Sequence, residues 1–197
     1  MRKDIKEKEM TSTQRFLLSY QTCQWWNAVM IQAKRFLDVL EDDHGGDPGS
    51  NEKNSMFIAE RMFLITAIFH AIEDLEKLDF EPQRTGDNSL QLVIEAIEKV
   101  APLADIKDLR DMNVHNLDYL MDEGRKQDQF RSTVTKDEFA IHTTAAWTIV
   151  HGDAKIMLLG NVEIDKLLAT MKEQLSFVQA KTKEIFEKEL ISQSGEN

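Results

Sequence analysis

Seven residues, Leu109-Arg110-Asp111-Met112-Asn113-Val114-His115, bring an arginine, an acid, an asparagine and a histidine together, and Tyr119 follows four positions on. No other stretch of the chain gathers polar chemistry so tightly. At about 100° per residue on a helix, Asp111, His115, Asp118, Tyr119 and Asp122 fall on one side. Ile106, Leu109, Val114, Leu117, Leu120 and Met121 make the opposite, core-facing arc. Arg110 falls between Val114 and Leu117 on that apolar arc, where a guanidinium must either snorkel or meet an anion. Asp111 lies four residues before His115, within reach to orient its ring or raise its pKa.

The elements that must position this cluster read as helices. Apolar residues at helical spacing, from Phe16 through Trp25 and Val29 to Leu40, predict a first helix over about 13–40, capped by Ser12 or Thr13. Residues 42–55 hold three glycines and a proline and read as a loop. A second long helix follows from Asn54 or Ser55 to Asp79, and residues 80–88 form a turn. Ser89 caps a shorter helix that Pro102 ends. Asp105 is a good N-cap for the fourth helix, which bears the cluster and runs to Gly124. Residues 125–137 are polar and irregular.

Beyond Lys136 the periodicity changes. Residues 147–151 and 154–159 flank Gly152-Asp153, which suits a type II′ hairpin turn. In that register Ile149 faces Ile156 and Trp147 faces Leu158, with Phe139–Thr143 available as a third strand. Asp165 caps a last helix to about Leu190. The domain plan is a flexible 1–12, a single helical domain over 13–190 with a β-hairpin at about 139–162, and a disordered 191–197. The fold class is mostly α: a four- to five-helix bundle with a small β-hairpin insertion before the C-terminal helix.

Composition narrows the function. Of 197 residues, 24 are Lys or Arg and 35 are Asp or Glu, a formal net charge of −11 that excludes a general nucleic-acid coat and leaves room only for a local cationic site. Apolar runs such as Ile65–Phe69 fall far short of the roughly 20 residues of a membrane span. Residues 1–10 alternate charges without the apolar centre of a signal peptide, so a cytoplasmic address is expected. A single cysteine, Cys23, excludes an intrachain disulfide and a cysteine-based zinc site.

The string Arg110-Asp111-x-x-x-His115 on a bundle helix resembles the Arg-x4–6-His motif of the HEPN superfamily (higher eukaryotes and prokaryotes nucleotide-binding domains). The resemblance spans the helix order from about residue 13 to 124 and is anchored by two or three motif residues. It implies a dimeric RNA-binding domain, or a metal-independent endoribonuclease of a prokaryotic defence, toxin–antitoxin or other conflict system, with RNA in a local cleft shared by the two motif helices. Arg110 would then bind the scissile phosphate, His115 act as general acid or base, Asp111 position the motif, and Asn113 and Tyr119 join in substrate binding. Toxin-type members often carry a tyrosine two residues after the histidine; position 117 here is Leu, and the tyrosine is Tyr119. Other members have lost catalysis, and the alternative is a non-catalytic interaction or regulatory module with a protein partner.

No cofactor and no metal are expected. Glu41-x-x-His44 has the spacing of bundle di-iron ligands but lies at a glycine-rich helix end and has no second copy. His70 and Glu73 share a helix face, where His70 reads as a core-edge histidine. Trp25-Trp26 and the methionines Met30, Met56 and Met62 read as core or interface. Met112, His115 and Tyr119 make a second side of the fourth helix, which predicts a symmetric homodimer through it. Local potential discriminates the two readings: a nuclease needs positive potential around Arg110, whereas an assembly module tolerates the acidic surround of Asp108, Asp118 and Asp122.

Overall fold

The computed structural model describes residues 10–42, 51–80, 88–115, 132–136, 139–143, 147–150, 156–159 and 162–194. Among the described residues five helices carry the fold: α1 (Ser12–Asp42), α2 (Asn51–Phe80), α3 (Ser89–Glu98), α4 (Leu103–Val114) and α5 (Ile164–Ser194). Between α4 and α5 the described residues form five short strands, β1 (Ser132–Lys136), β2 (Phe139–Thr143), β3 (Trp147–Val150), β4 (Ile156–Leu159) and β5 (Val162–Glu163). The protein is a mostly helical bundle with a small β element.

Helix α1 starts at a capping box. Gln14 donates its backbone N–H to Thr11 Oγ1 at 3.2 Å, and Thr11 donates its own to Gln14 Oε1 at 2.9 Å. Two orphan donors of the helix end are met at once. The cap is therefore Thr11 rather than Ser12 or Thr13, and the Thr-x-x-Gln spacing is the signal that locates it.

Helices α1 and α2 pack antiparallel. Trp26 is fully buried and donates its indole N–H to the Ala71 carbonyl at 3.2 Å; Phe36 meets Phe57 with ring centroids 5.4 Å apart; Arg35 pairs with Glu60 at 3.1 Å. Helix α5 closes the other flank of α1, also antiparallel. Phe16 stacks on Phe186 at 4.3 Å, Arg15 Nε meets Glu189 Oε1 at 2.7 Å, and Gln179 donates to Asn27 at 2.8 Å. The core runs through the three long helices and α3, where Leu90, Val93, Ile94 and Ile97 are buried on one face. Helix α5 adds Leu167, Met171 and Val178.

Several expectations are corrected. Helix α3 begins at Ser89, so Asn88 holds the N-cap position, without a side-chain capping hydrogen bond. Helix α4 starts at Leu103, with Pro102 at the N-cap position and its carbonyl accepting from Asp105 and Ile106 at 2.9 and 3.2 Å. Proline opens this helix because the N–H it lacks would be an orphan there in any case. The same helix ends at Val114 rather than near Gly124, and residues 116–131 lie outside the described residues.

The β element is larger than one hairpin. Ser132–Lys136, expected to be irregular, is a strand, and it pairs antiparallel with Phe139–Thr143 from Lys136↔Phe139 outward. The β-branched run Thr133-Val134-Thr135 favours an extended chain, and with two residues between them β1 and β2 become natural neighbours. Strand β2 is thus not the third strand of the later sheet, whose order is β3-β4-β5. Within that sheet the register is one residue away from the expected one: Trp147 pairs with Leu159 and Val150 with Ile156. Five residues then separate the last pair instead of two, and an odd connection shifts every cross-strand partner by one. The expected turn at Gly152-Asp153 lies outside the described residues.

Candidate functional site at the seam of the second and fourth helices

Ile106, Leu109 and Met112, three residues apart, are the buried stripe that lays α4 on the bundle. Met112 is 1% exposed and Val114 63%. The expected arc had these reversed, because it was drawn for a helix running on through Leu117, Leu120 and Met121. At about 100° per residue Val114 stands about 140° from Leu109, and it leaves the core once the helix stops there. The surface predicted from Met112, His115 and Tyr119 is therefore not available as drawn: Met112 is inside, and Tyr119 lies outside the described residues.

Arg110 takes both options open to a guanidinium on an apolar arc. Its Cζ sits 4.4 Å from the centroid of the Phe69 ring on α2, a cation–π contact, and its Nη1 meets Asp111 Oδ1 at 3.0 Å. Its Nε is buried without a hydrogen-bond partner. Asp111 thus supplies the anion from within the motif. A phosphate arriving at Arg110 would have to displace it.

His115 is not in the helix body. It occupies the C-cap position with φ −102° and ψ 32°, donates its backbone N–H to the Asp111 carbonyl at 2.9 Å, and is exposed. Asn113 falls on the last turn of α4. The structure brings Arg110, Asp111 and His115 to one helix end, with Phe69 as the floor under the arginine.

Phe69 leads to a second group of rings. It meets His70 edge-on at 5.3 Å, and His70 stacks on Trp25 of α1 at 4.7 Å. His70 Nδ1 lies 3.6 Å from Glu73, and Lys77 Nζ lies between Glu73 at 3.5 Å and Asp74 at 3.7 Å. Asp74 is buried with one oxygen unpartnered, and burial pushes its carboxyl above the ordinary range, against the pull of Lys77. Burial likewise raises Glu76, helped by Glu98. Among the described residues no group of three or more His, Cys, Asp or Glu side chains is placed to hold a metal ion. His44 lies outside the described residues.

Helix α2 also carries a feature that the sequence reading passed over. Between Met56 and Ile72 the charged residues are Glu60 and Arg61, and both face inward, 9% and 4% exposed. Burial lowers the Arg61 pKa, and its Nε has no hydrogen-bond partner. Phe63 and Met56, by contrast, are 59% and 51% exposed, with Ile58 also exposed. Glu60 and Arg61 thus share the buried face with Leu64, Ile65 and Ile68, while the exposed face over these turns is apolar. A signal was present in the sequence: a Glu-Arg pair supplies the sole Asp, Glu, Lys or Arg charges in the seventeen residues from Met56 to Ile72. No described helix is long and apolar enough to do so.

No protein-family model, no curated protein and no solved structure matches this chain.

Proposed function

We propose that the chain is a non-catalytic interaction module, a helical bundle that assembles through the outer face of α2. The observation that carries this reading is the uncharged outer face of α2, where Met56, Ile58 and Phe63 face solvent while Glu60 and Arg61 lie buried. An apolar helix surface of that length is costly to leave in water, and such patches on soluble domains mark contact surfaces. Arg110, paired with Asp111 and laid on Phe69, supports the same reading: the motif arginine here fastens α4 to α2.

A second reading is the RNA-binding or RNA-cleaving HEPN-like domain. It is favoured by Arg110 and the exposed His115 sharing one helix end. One experiment separates the two. Purified protein is mixed with labelled RNAs in excess chelator, beside His115→Ala and Arg110→Ala variants. The interaction module leaves every RNA intact. Cleavage that disappears in His115→Ala would establish the second reading and sink the first.

A further inference from the structure

Apolar burial along α2 is uneven. Between Met56 and Phe63 the buried side chains are Glu60 and Arg61, and both are charged. The apolar residues of this stretch, Met56, Ile58, Met62 and Phe63, are exposed, and Phe57 is half-buried. From Leu64 to Leu78 the same helix buries eight apolar side chains, Leu64, Ile68 and Leu75 among them. Packing of an apolar face is what mainly holds a helix on a bundle, and on α2 that face begins at Leu64.

The earlier stretch reaches α1 through Phe57, whose ring centroid is 5.4 Å from that of Phe36, and through Glu60, 3.1 Å from Arg35. Arg35 is mostly in water, so its ion pair contributes little. Against these contacts stands Arg61. It is 4% exposed, its Nε has no hydrogen-bond partner, and burial lowers its pKa. The second oxygen of Glu60, Oε2, is also buried without a partner. A guanidinium enclosed in this way gives up hydration that no acceptor at Nε replaces. The docked position of these turns carries a penalty, with little apolar burial to offset it.

We propose that residues 51–63 are a releasable strap, which leaves the bundle and unwinds while the rest of α2 stays packed. Leu64 is the hinge, and Arg61 is the charge that keeps release easy. The strap is independent of both functional readings. Release returns Glu60 and Arg61 to water and takes Phe57 off Phe36, a fully buried ring of α1. Off the bundle, a helix this short is marginal in water. Met56, Ile58 and Phe63 ride on the strap, so a partner that grips them at helical spacing holds it docked.

Hydrogen–deuterium exchange of the full chain over a series of low urea concentrations tests this. Amides of residues 56–63 should exchange roughly a hundredfold faster than those of 64–78, at a rate that urea hardly changes, because local release exposes little surface. Exchange over 64–78 should climb with urea as the whole bundle opens. Arg61→Met removes the charge and keeps the length, and should raise protection over 56–63 about tenfold or more. Phe57→Ala should lower it further, with the bundle's circular dichroism retained. Equal protection on both sides of Leu64, or exchange that climbs with urea in parallel on both, overturns the strap. So does Arg61→Met with protection over 56–63 unchanged or reduced. Should Arg61→Met fail to fold, the wild-type urea series decides by itself.

Discussion

Arg110 and Asp74 show two different fates for a charge on a packed helix. Arg110 keeps part of its guanidinium in water and satisfies the rest with a ring and a neighbouring carboxylate. Asp74 is enclosed, and its contact with Lys77 at 3.7 Å leaves one oxygen unpartnered. Burial dominates there and raises its pKa, with Lys77 opposing, Glu73 reinforcing and His70 opposing. The native state then holds a proton that the unfolded chain has released, so this group's penalty is absent below the ordinary carboxylate range and complete above its raised value. Stability from this source falls as pH rises. Asp74→Asn should be more stable than wild type at pH 7, with the gap narrowing as pH is lowered toward 4 in urea titrations. A gap that widens on acidification would show that the Lys77 contact outweighs burial.

At the scale of elements, α4 is the test of what fixes a helix face. Met112 lies 1% exposed beneath the motif, so Met112→Ala should cost about 2–5 kcal/mol by urea denaturation, the range for truncating a buried methionine. A surface methionine, the role the sequence suggested for it, would cost almost nothing. The five helices were legible because their apolar spacing extends over many turns and Pro102, Ser89 and Asp165 mark ends within a residue or two. The face of α4 was not, since a 12-residue helix shifts its buried arc when its end moves by nearly three turns. Strand register failed for a related reason: one residue more or less in the connection re-pairs the whole ladder, and hydrophobic pattern on short strands discriminates weakly between the two. The motif residues themselves were found by type and spacing. Their partner Phe69 was not, because a contact between helices 41 residues apart leaves no local trace.

For the whole molecule the decisive quantity is the charge of −11, since it gives the two functional readings opposite responses to salt. Two acidic copies repel at long range, whereas any self-association through the outer face of α2 would be apolar. Raising ionic strength from about 0.01 M to about 0.1 M shortens the Debye length from about 30 Å to about 10 Å and screens that repulsion. Dimerisation should therefore strengthen with salt. RNA binding runs the other way, because each arginine that neutralises a phosphate releases a counterion and affinity falls as salt rises. Sedimentation equilibrium and RNA filter binding across one salt series read both slopes. A dimer that tightens while RNA stays unbound at the lowest salt fits an assembly built on α2. RNA retained at low salt and released at high salt, with a mass that stays monomeric, would return Arg110 and His115 to the centre of the function.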